Sequence, residues 1–274
     1  MTRPVPKRPP SSGVRLFGFS AASAVDFQTP IAEMLAAAGG RHGWGLSVHD
    51  GCGSRRFTDP TPDRDGSALA GFMRTYSVRG RTVLGYASEG GGTDREQPYT
   101  RELWGRSWSF VHVGRLRSVK RWALDRHRPI GTSGGEHAFC WLLDRLHDRW
   151  AEAPRDTAVA AFLRVLTSRL WVQGRFDMML TDGRSLFCFA GGTSPLAIQH
   201  GVTAGGTTVA AIASRPTESY ADRTTMRSGT FVALRHGVEV PVHHEARSQA
   251  WSYGWMERTA AGHVNGIAAS RRHA

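Results

Sequence analysis

The chain has 274 residues, of which 40% are hydrophobic and 21% charged. This length and composition can bury a full core, and they exclude a mostly disordered chain, a collagen-like repeat and a small disulfide-rich protein. No apolar run reaches the roughly 18 residues that a transmembrane helix needs, so we expect a soluble globular protein without membrane contact.

The formal net charge is +12, and all but two of the 35 basic side chains are arginine. A basic excess is typical of nucleic-acid-binding proteins, but these arginines are scattered and no recognised nucleic-acid module accompanies them, so we do not expect a nucleic-acid partner. Cys52, Cys140 and Cys188 have no metal-binding spacing. Three such isolated cysteines favour a reducing, cytoplasmic location and no structural zinc.

Hydrophobic periodicity and turn residues predict an α+β protein with helices between two groups of strands. The predicted strands are Val14–Ser20, Trp44–His49, Arg81–Ser88, Ser107–His112, Asp177–Thr181, Ser185–Ala190, Thr207–Ala213 and Thr230–Arg235. The predicted helices are Asp26–Ala38, a segment from the Ser133 cap to Trp150, and Thr157–Val172, and Phe57–Asp65 is predicted to be a loop.

Two features refine the predicted helices. Ser133 and Glu136 have the spacing of a capping box, and Ala161, Val165 and Leu166 are expected on the buried face of the last helix. The predicted organisation is a disordered, basic, proline-rich extension over residues 1–12, one domain over residues 13–242, and a poorly defined tail over residues 243–274.

The sequence Gly131–Gly135 matches the G-x-S-x-G nucleophile elbow, which makes Ser133 a candidate serine nucleophile. That motif needs a strand directly before it, and Arg126–Ile130 is a poor strand, while Ser133 also fits a structural role as helix cap. His243 and His244 lack a third ligand at a suitable spacing, and phosphate-binding loops are missing from the sequence. We therefore expect no metal site and no cofactor.

Several segments in one ordered series carry a family resemblance. They are Gly13–Ser20 (GVRLFGFS), His42–Gly45 (HGWG), Phe57–Pro62 (FTDPTP), Pro98–Trp108 (PYTRELWGRSW), His112–Gly114, Gly131–Leu143 (GTSGGEHAFCWLL), Met178–Arg184 (MMLTDGR) and Ile212–Gly237. Together they resemble the class II glutamine amidotransferase family, specifically its small stand-alone YafJ-like branch, over nearly all of residues 13–240.

The resemblance implies the N-terminal nucleophile hydrolase fold, a four-layer αββα sandwich of two mainly antiparallel sheets. It also implies hydrolysis of the glutamine side-chain amide with delivery of ammonia. In the family the nucleophile is a cysteine that becomes the first residue, and its own α-amine serves as the base.

This sequence departs from the family pattern at the positions that would carry the chemistry. Val14 stands where the nucleophilic cysteine is expected, so this position has no thiol. Gly13 precedes it in the chain, so it has no free α-amine either. Val113 and Gly114 occupy the oxyanion-hole positions, where the family has asparagine and glycine. The other degenerate pocket positions are Ser88, Gln97, Ser133 and Gly134. The resemblance places a threonine and the aspartate that holds the substrate's α-amine at Ser133 and Gly134.

We therefore predict a member without glutaminase activity that acts as a binding or regulatory protein. Its partner is an unknown small ligand, a protein, a second copy of this chain or an active relative. The alternatives are a serine hydrolase that uses Ser133, or an enzyme with different amide or amine chemistry in the same pocket. His112, Ser133, Glu89 and Glu96 are the candidate groups for that new chemistry.

Overall fold

The computed structural model describes residues 14–36, 42–51, 53–59, 71–72, 75–89, 97–214 and 222–242. The described strands are β1 (Val14–Asp26), β2 (His42–His49), β3 (Ser54–Asp59), β4 (Arg79–Glu89), β5 (Tyr99–Leu103), β6 (Arg106–Gly114), β7 (Phe176–Thr181), β8 (Ser185–Ala190), β9 (Ala197–Val202), β10 (Thr208–Ala213), β11 (Asp222–Thr225), β12 (Thr230–Arg235) and β13 (Val238–Glu239). The described α-helices are α1 (Gln28–Ala36), α2 (Gly134–Arg149) and α3 (Asp156–Val172), and a 3-10 turn covers Val119–Arg121.

The strands form two sheets. Sheet 1 has seven strands in the order β11-β9-β10-β1-β4-β2-β3, and sheet 2 has six strands in the order β13-β12-β8-β7-β6-β5. Every described pairing is antiparallel. Consecutive strands in sheet 2 are mostly hairpin neighbours, whereas β1 lies at the centre of sheet 1 between β10 and β4.

Three layers of apolar side chains hold the molecule together, because both faces of each sheet are covered. In β1, Leu16 points between the sheets, whereas Phe17 and Phe19 pack with Phe27 and Ile31 on the outer, α1 side. The core between sheet 2 and helices α2 and α3 is the largest, and its buried members include Trp108, Phe110, Phe139, Leu163 and Phe187. The order of layers is helix, sheet, sheet and helix, which confirms the expected αββα sandwich.

The structure corrects some local predictions. Phe57–Asp59 is part of strand β3, and the rest of the predicted loop over Phe57–Asp65 lies outside the described residues. In α3, Val165 is 45% exposed, so its predicted place on the buried face is wrong, whereas Leu166 is buried as expected. The strands β5, β9, β11 and β13 were not predicted. The longest described helix has 17 residues, and no described helix is both long and apolar enough to cross a bilayer.

The segments predicted as a disordered extension over residues 1–12 and as a tail over residues 243–274 lie outside the described residues. Cys52, Glu96 and the His243-His244 pair also lie outside them.

Candidate functional site

The predicted site positions gather at one end of the sandwich. Val14 begins β1 and is paired with Ser88 of β4, in sheet 1. Val113 and Gly114 end β6 in sheet 2, where Val113 is paired with Asp177. The side chains of Val14 and Ser88 are outside the described part of the structure, so only their backbone positions are given.

Gln97 connects the two sheets at this end. Its side chain is 1% exposed, and its amide Nε2 donates to the His112 carbonyl at 3.1 Å while its Oε1 accepts from the His112 N–H at 2.6 Å. The backbone of Gln97 crosses directly over Gly45 of β2, since a Cβ on Gly45 would lie 1.8 Å from the Gln97 carbonyl oxygen. Both polar ends of this side chain therefore bind the protein backbone.

The imidazole of His112 lies against the first turn of α2. The ring stacks near Tyr99 and Phe110, with centroids 6.4 and 5.8 Å away. A Cβ on Gly135 would lie 1.6 Å from Nε2 of His112, so only glycine fits at that position. The ring of His112 thus fills the space between β6 and the first turn of α2.

The two oxyanion-hole positions differ in what they offer. Val113 is 6% exposed and packs in the apolar layer between the sheets, so its side chain supplies methyl groups and no hydrogen-bond donor. Gly114 has φ +113°, and a Cβ there would lie 2.3 Å from the carbonyl oxygen of Arg175. Glycine is therefore required at position 114 by both conformation and space.

Ser133 caps helix α2. Its Oγ accepts a hydrogen bond from the Gly135 N–H at 3.1 Å, and its side chain is buried. The predicted capping box is only half formed, because the Glu136 carboxylate accepts from Arg101 and from the N–H groups of Ile130 and Gly131 instead. Glu136 is within the first turn of α2, where its charge is favourable to the helix dipole.

Ser133 does not have the surroundings of a nucleophile elbow. The described residues 115–133 contain the 3-10 turn over Val119–Arg121 and no strand, whereas the elbow needs a strand directly before the serine. Gly134 follows as the first residue of α2, and the Cβ that it lacks would lie 3.6 Å from Val119. Of the other groups considered for new chemistry, Glu89 is described only by its backbone at the end of β4.

A buried carboxylate holds the loop before α2. Asp144 accepts hydrogen bonds from the N–H groups of Asp125, Arg126 and His127, and from Nδ1 of His127 at 2.7 Å. Burial alone would raise the pKa of Asp144, but the hydrogen bonds from His127 and from the two nearest N–H groups lower it to about 2. The hydrogen bond to Asp144 raises the pKa of His127, whose Nε2 also contacts the Glu102 carbonyl.

We expect Asp144→Asn to lower the free energy of unfolding by about 2 kcal/mol at pH 5.5, because backbone donors lose their charged acceptor. The Asp144 contribution is present above pH of about 4 and is lost as the pH falls toward its lowered folded-state pKa. The His127 contribution is complete below pH 6.5 and is lost as the pH rises through its raised folded-state pKa. Urea unfolding at several pH values should therefore show the largest difference in unfolding free energy between the wild type and Asp144→Asn from about pH 4 to about pH 6.5.

Asp148→Asn is the matched control for this prediction. Asp148 lies on the same helix and pairs with Arg145 at 2.8 Å, but its side chain is 26% exposed. Such a pair contributes about 0.5 kcal/mol or less. Equal losses in both variants, or a loss in Asp144→Asn that does not change with pH, would contradict the proposed role of Asp144.

Comparisons with known proteins identify relatives of this chain. The family model of class II glutamine amidotransferases matches residues 15–200. YafJ of Escherichia coli, named as a glutamine amidotransferase, is 32% identical over 183 residues, which are 64% of this chain and 71% of YafJ. A Haemophilus influenzae protein with a similar name is 26% identical over 145 residues, 52% of this chain and 49% of its own length.

Solved structures show the same fold. A Pseudomonas aeruginosa protein described as a predicted glutamine amidotransferase superposes with a TM-score of 0.62 at 23% identity, over 83% of this chain and 99% of its own. Glutamine phosphoribosylpyrophosphate amidotransferase from Bacillus subtilis gives a TM-score of 0.56 at 15% identity, over 82% of this chain and 48% of its own.

The αββα sandwich thus has the architecture of the N-terminal nucleophile hydrolases. Within that class, the chain belongs to the class II glutamine amidotransferase family.

Proposed function

We propose that this chain is a non-catalytic member of its family that has lost glutaminase activity and acts by binding a small ligand or a protein partner. The observation that carries the proposal is Val14. It begins β1, the position at which the family resemblance places the nucleophilic cysteine, and an isopropyl group cannot attack an amide carbonyl. In the sequence its nitrogen is bonded to Gly13, so it is a peptide nitrogen and not a free amine.

The surrounding positions support the same proposal. Val113 contributes only methyl groups at an expected oxyanion-hole position and is buried between the sheets. The Gln97 amide is occupied on both sides by the His112 backbone. Gly134, where the family resemblance places an aspartate that holds the substrate amine, has no side chain.

The expected losses of rate are large. Removing one oxyanion-hole donor typically lowers turnover by about 10²–10³. Removing a catalytic nucleophile lowers turnover by about 10⁶, and residues of one catalytic unit do not contribute independently. The change at Val14 alone is therefore sufficient for loss of glutamine hydrolysis.

We expect the purified full chain to release no glutamate or ammonia from glutamine above a heat-denatured control. A cysteine-directed glutamine analogue such as 6-diazo-5-oxo-norleucine should leave its intact mass unchanged. A known glutaminase added to a parallel sample gives the detection limit of the assay. Glutamine turnover, or a glutamyl or analogue adduct found on this chain by mass spectrometry, would refute the proposal.

A further inference from the structure

Three hairpin turns meet at the end of the sandwich opposite to Val14. They join β2 to β3, β5 to β6 and β7 to β8, and between them lies a cleft of about 200 Å³, which we call the end cleft. His49 in this cleft is paired with Thr82, whereas Val14 is paired with Ser88 on the same strand β4. Six residues of extended strand span about 20 Å, so the two ends are well separated.

A buried polar cluster forms the floor of the end cleft. His49 is 3% exposed, and its Nε2 lies 3.1 Å from Oγ of Ser47 and 3.2 Å from Oγ of Ser109. The two hydroxyl oxygens are 2.7 Å apart and join sheet 1 to sheet 2. A Cβ on Gly183 would lie 2.8 Å from Nδ1 of His49, so the glycine of this turn keeps that edge of the ring uncovered by a side chain.

Arginines dominate the charge around the end cleft. Arg106 pairs with Asp182 at 2.8 Å, and Asp182 also accepts from the N–H groups of Arg184 and Ser185. Arg184 is an exposed residue that lines the cleft, its backbone N–H is part of this network, and its side chain forms no ion pair with a described carboxylate. Arg81 lies along the neighbouring turn, within 3.4 Å of the Cβ position of Gly51.

The acidic groups here do not cancel this charge. Asp50 and Asp182 are the carboxylates whose charge acts on His49. Of these only Asp182 lines the cleft, together with Arg106 and Arg184, and Arg81 lies beside the lining residue Gly51. Burial lowers the pKa of His49 to about 4, although both carboxylates oppose that shift, so the ring is neutral at pH 7. The end cleft therefore carries a net positive charge over a neutral floor.

We propose that the end cleft is a ligand site for a small molecule that carries a carboxylate or phosphate group. Arg184 and Arg106 supply guanidinium groups, whose planar donors match such oxyanions. Gly53 and Gly105 leave the entrance open, since a Cβ on either would meet no atom within 4 Å. A volume of about 200 Å³ holds about six waters, which is enough for one phosphate or carboxylate group and below the size of typical cofactor sites.

The test is calorimetric titration of the full chain at pH 7.5 in a low-salt buffer, with inorganic phosphate and with malonate as separate probes. We expect saturable binding of at least one probe, and the probe that binds distinguishes phosphate from carboxylate ligands. Arg184→Ala should weaken that binding at least tenfold at an unchanged melting temperature. Gly53→Glu should abolish it, because the substitution adds a negative charge at a residue that lines the end cleft.

Arg121→Ala is the matched control, since this exposed arginine lies in the 3-10 turn away from the end cleft. It should leave binding unchanged. Absence of saturable binding with both probes would overturn the proposal. Retained binding in Gly53→Glu, or equal weakening in Arg184→Ala and Arg121→Ala, would overturn it too. These outcomes do not depend on whether the chain hydrolyses glutamine, so the two proposals fail separately.

Discussion

Replacing Gly45 by alanine should lower the free energy of unfolding by at least about 3 kcal/mol. The new Cβ would lie 1.8 Å from the carbonyl oxygen of Gln97 and 2.8 Å from Cδ of Pro98. Main-chain atoms cannot rotate away as a side chain can, and the amide of Gln97 is bound on both sides to His112. Overpacking of this kind usually costs about 1–3 kcal/mol, and a backbone collision belongs at or above the upper limit.

Urea unfolding of Gly45→Ala and Gly53→Ala measures this effect against a matched control. A Cβ on Gly53 meets no atom within 4 Å, so that variant should stay within about 0.5 kcal/mol of the wild type. If the two variants were equally stable, the contact between β2 and the Gln97 segment would not be as close as described. The connection of the two sheets at the candidate site would then need another explanation.

Asp177→Ala should lower the free energy of unfolding by about 4 kcal/mol or more. The carboxylate lies at the end of sheet 2, where Oδ1 accepts from the N–H groups of Gly191, Gly192 and Thr193, and Oδ2 accepts from Ser194 at 2.6 Å. Alanine removes the acceptor for all four donors. The Gly191 N–H is buried and the other three donors are part-buried, and a buried donor without a partner costs about 1–3 kcal/mol.

Asp177→Asn gives the graded comparison. Its amide oxygen can still accept from the three donors that Oδ1 now serves, so we expect roughly half the loss of the alanine variant. Hydrogen exchange at residues 191–194 should rise in both variants, and more in Asp177→Ala. An Asp177→Ala variant as stable as the wild type would show that the carboxylate does not organise this loop.

The local structure around α2 could be predicted from the sequence because its signals are local. Ser133 is a good N-cap residue, and apolar residues follow at helical spacing. In α3 the apolar residues lie on all sides, including the exposed Val165 and Trp171, so periodicity could not define its buried face. Strand β3 contains Arg55 and Arg56 and lies at a sheet edge. Most of its residues are exposed, so it lacks the alternation of apolar and polar residues that predicts a strand.

The candidate site was only partly predictable for a related reason. The family resemblance identified Val14, Gln97 and Val113 by position in the sequence. It could not show that the Gln97 amide binds the His112 backbone, since that contact joins segments that no local pattern relates. No local pattern relates His49 to Ser109, which contacts its ring and lies 60 residues further along the chain.

The central place of β1 has a consequence for the emergence of the chain from the ribosome. Phe17 is paired with Gly85 on one side and with Ala213 on the other, so one neighbour of β1 is synthesised about 200 residues after it. By contrast, β5, β6, β7 and β8 all come from residues 99–190 and need nothing translated later to pair with one another. The nascent polypeptide can thus complete the middle of sheet 2 while β1 has only β4 beside it and its second neighbour, β10, is not yet synthesised.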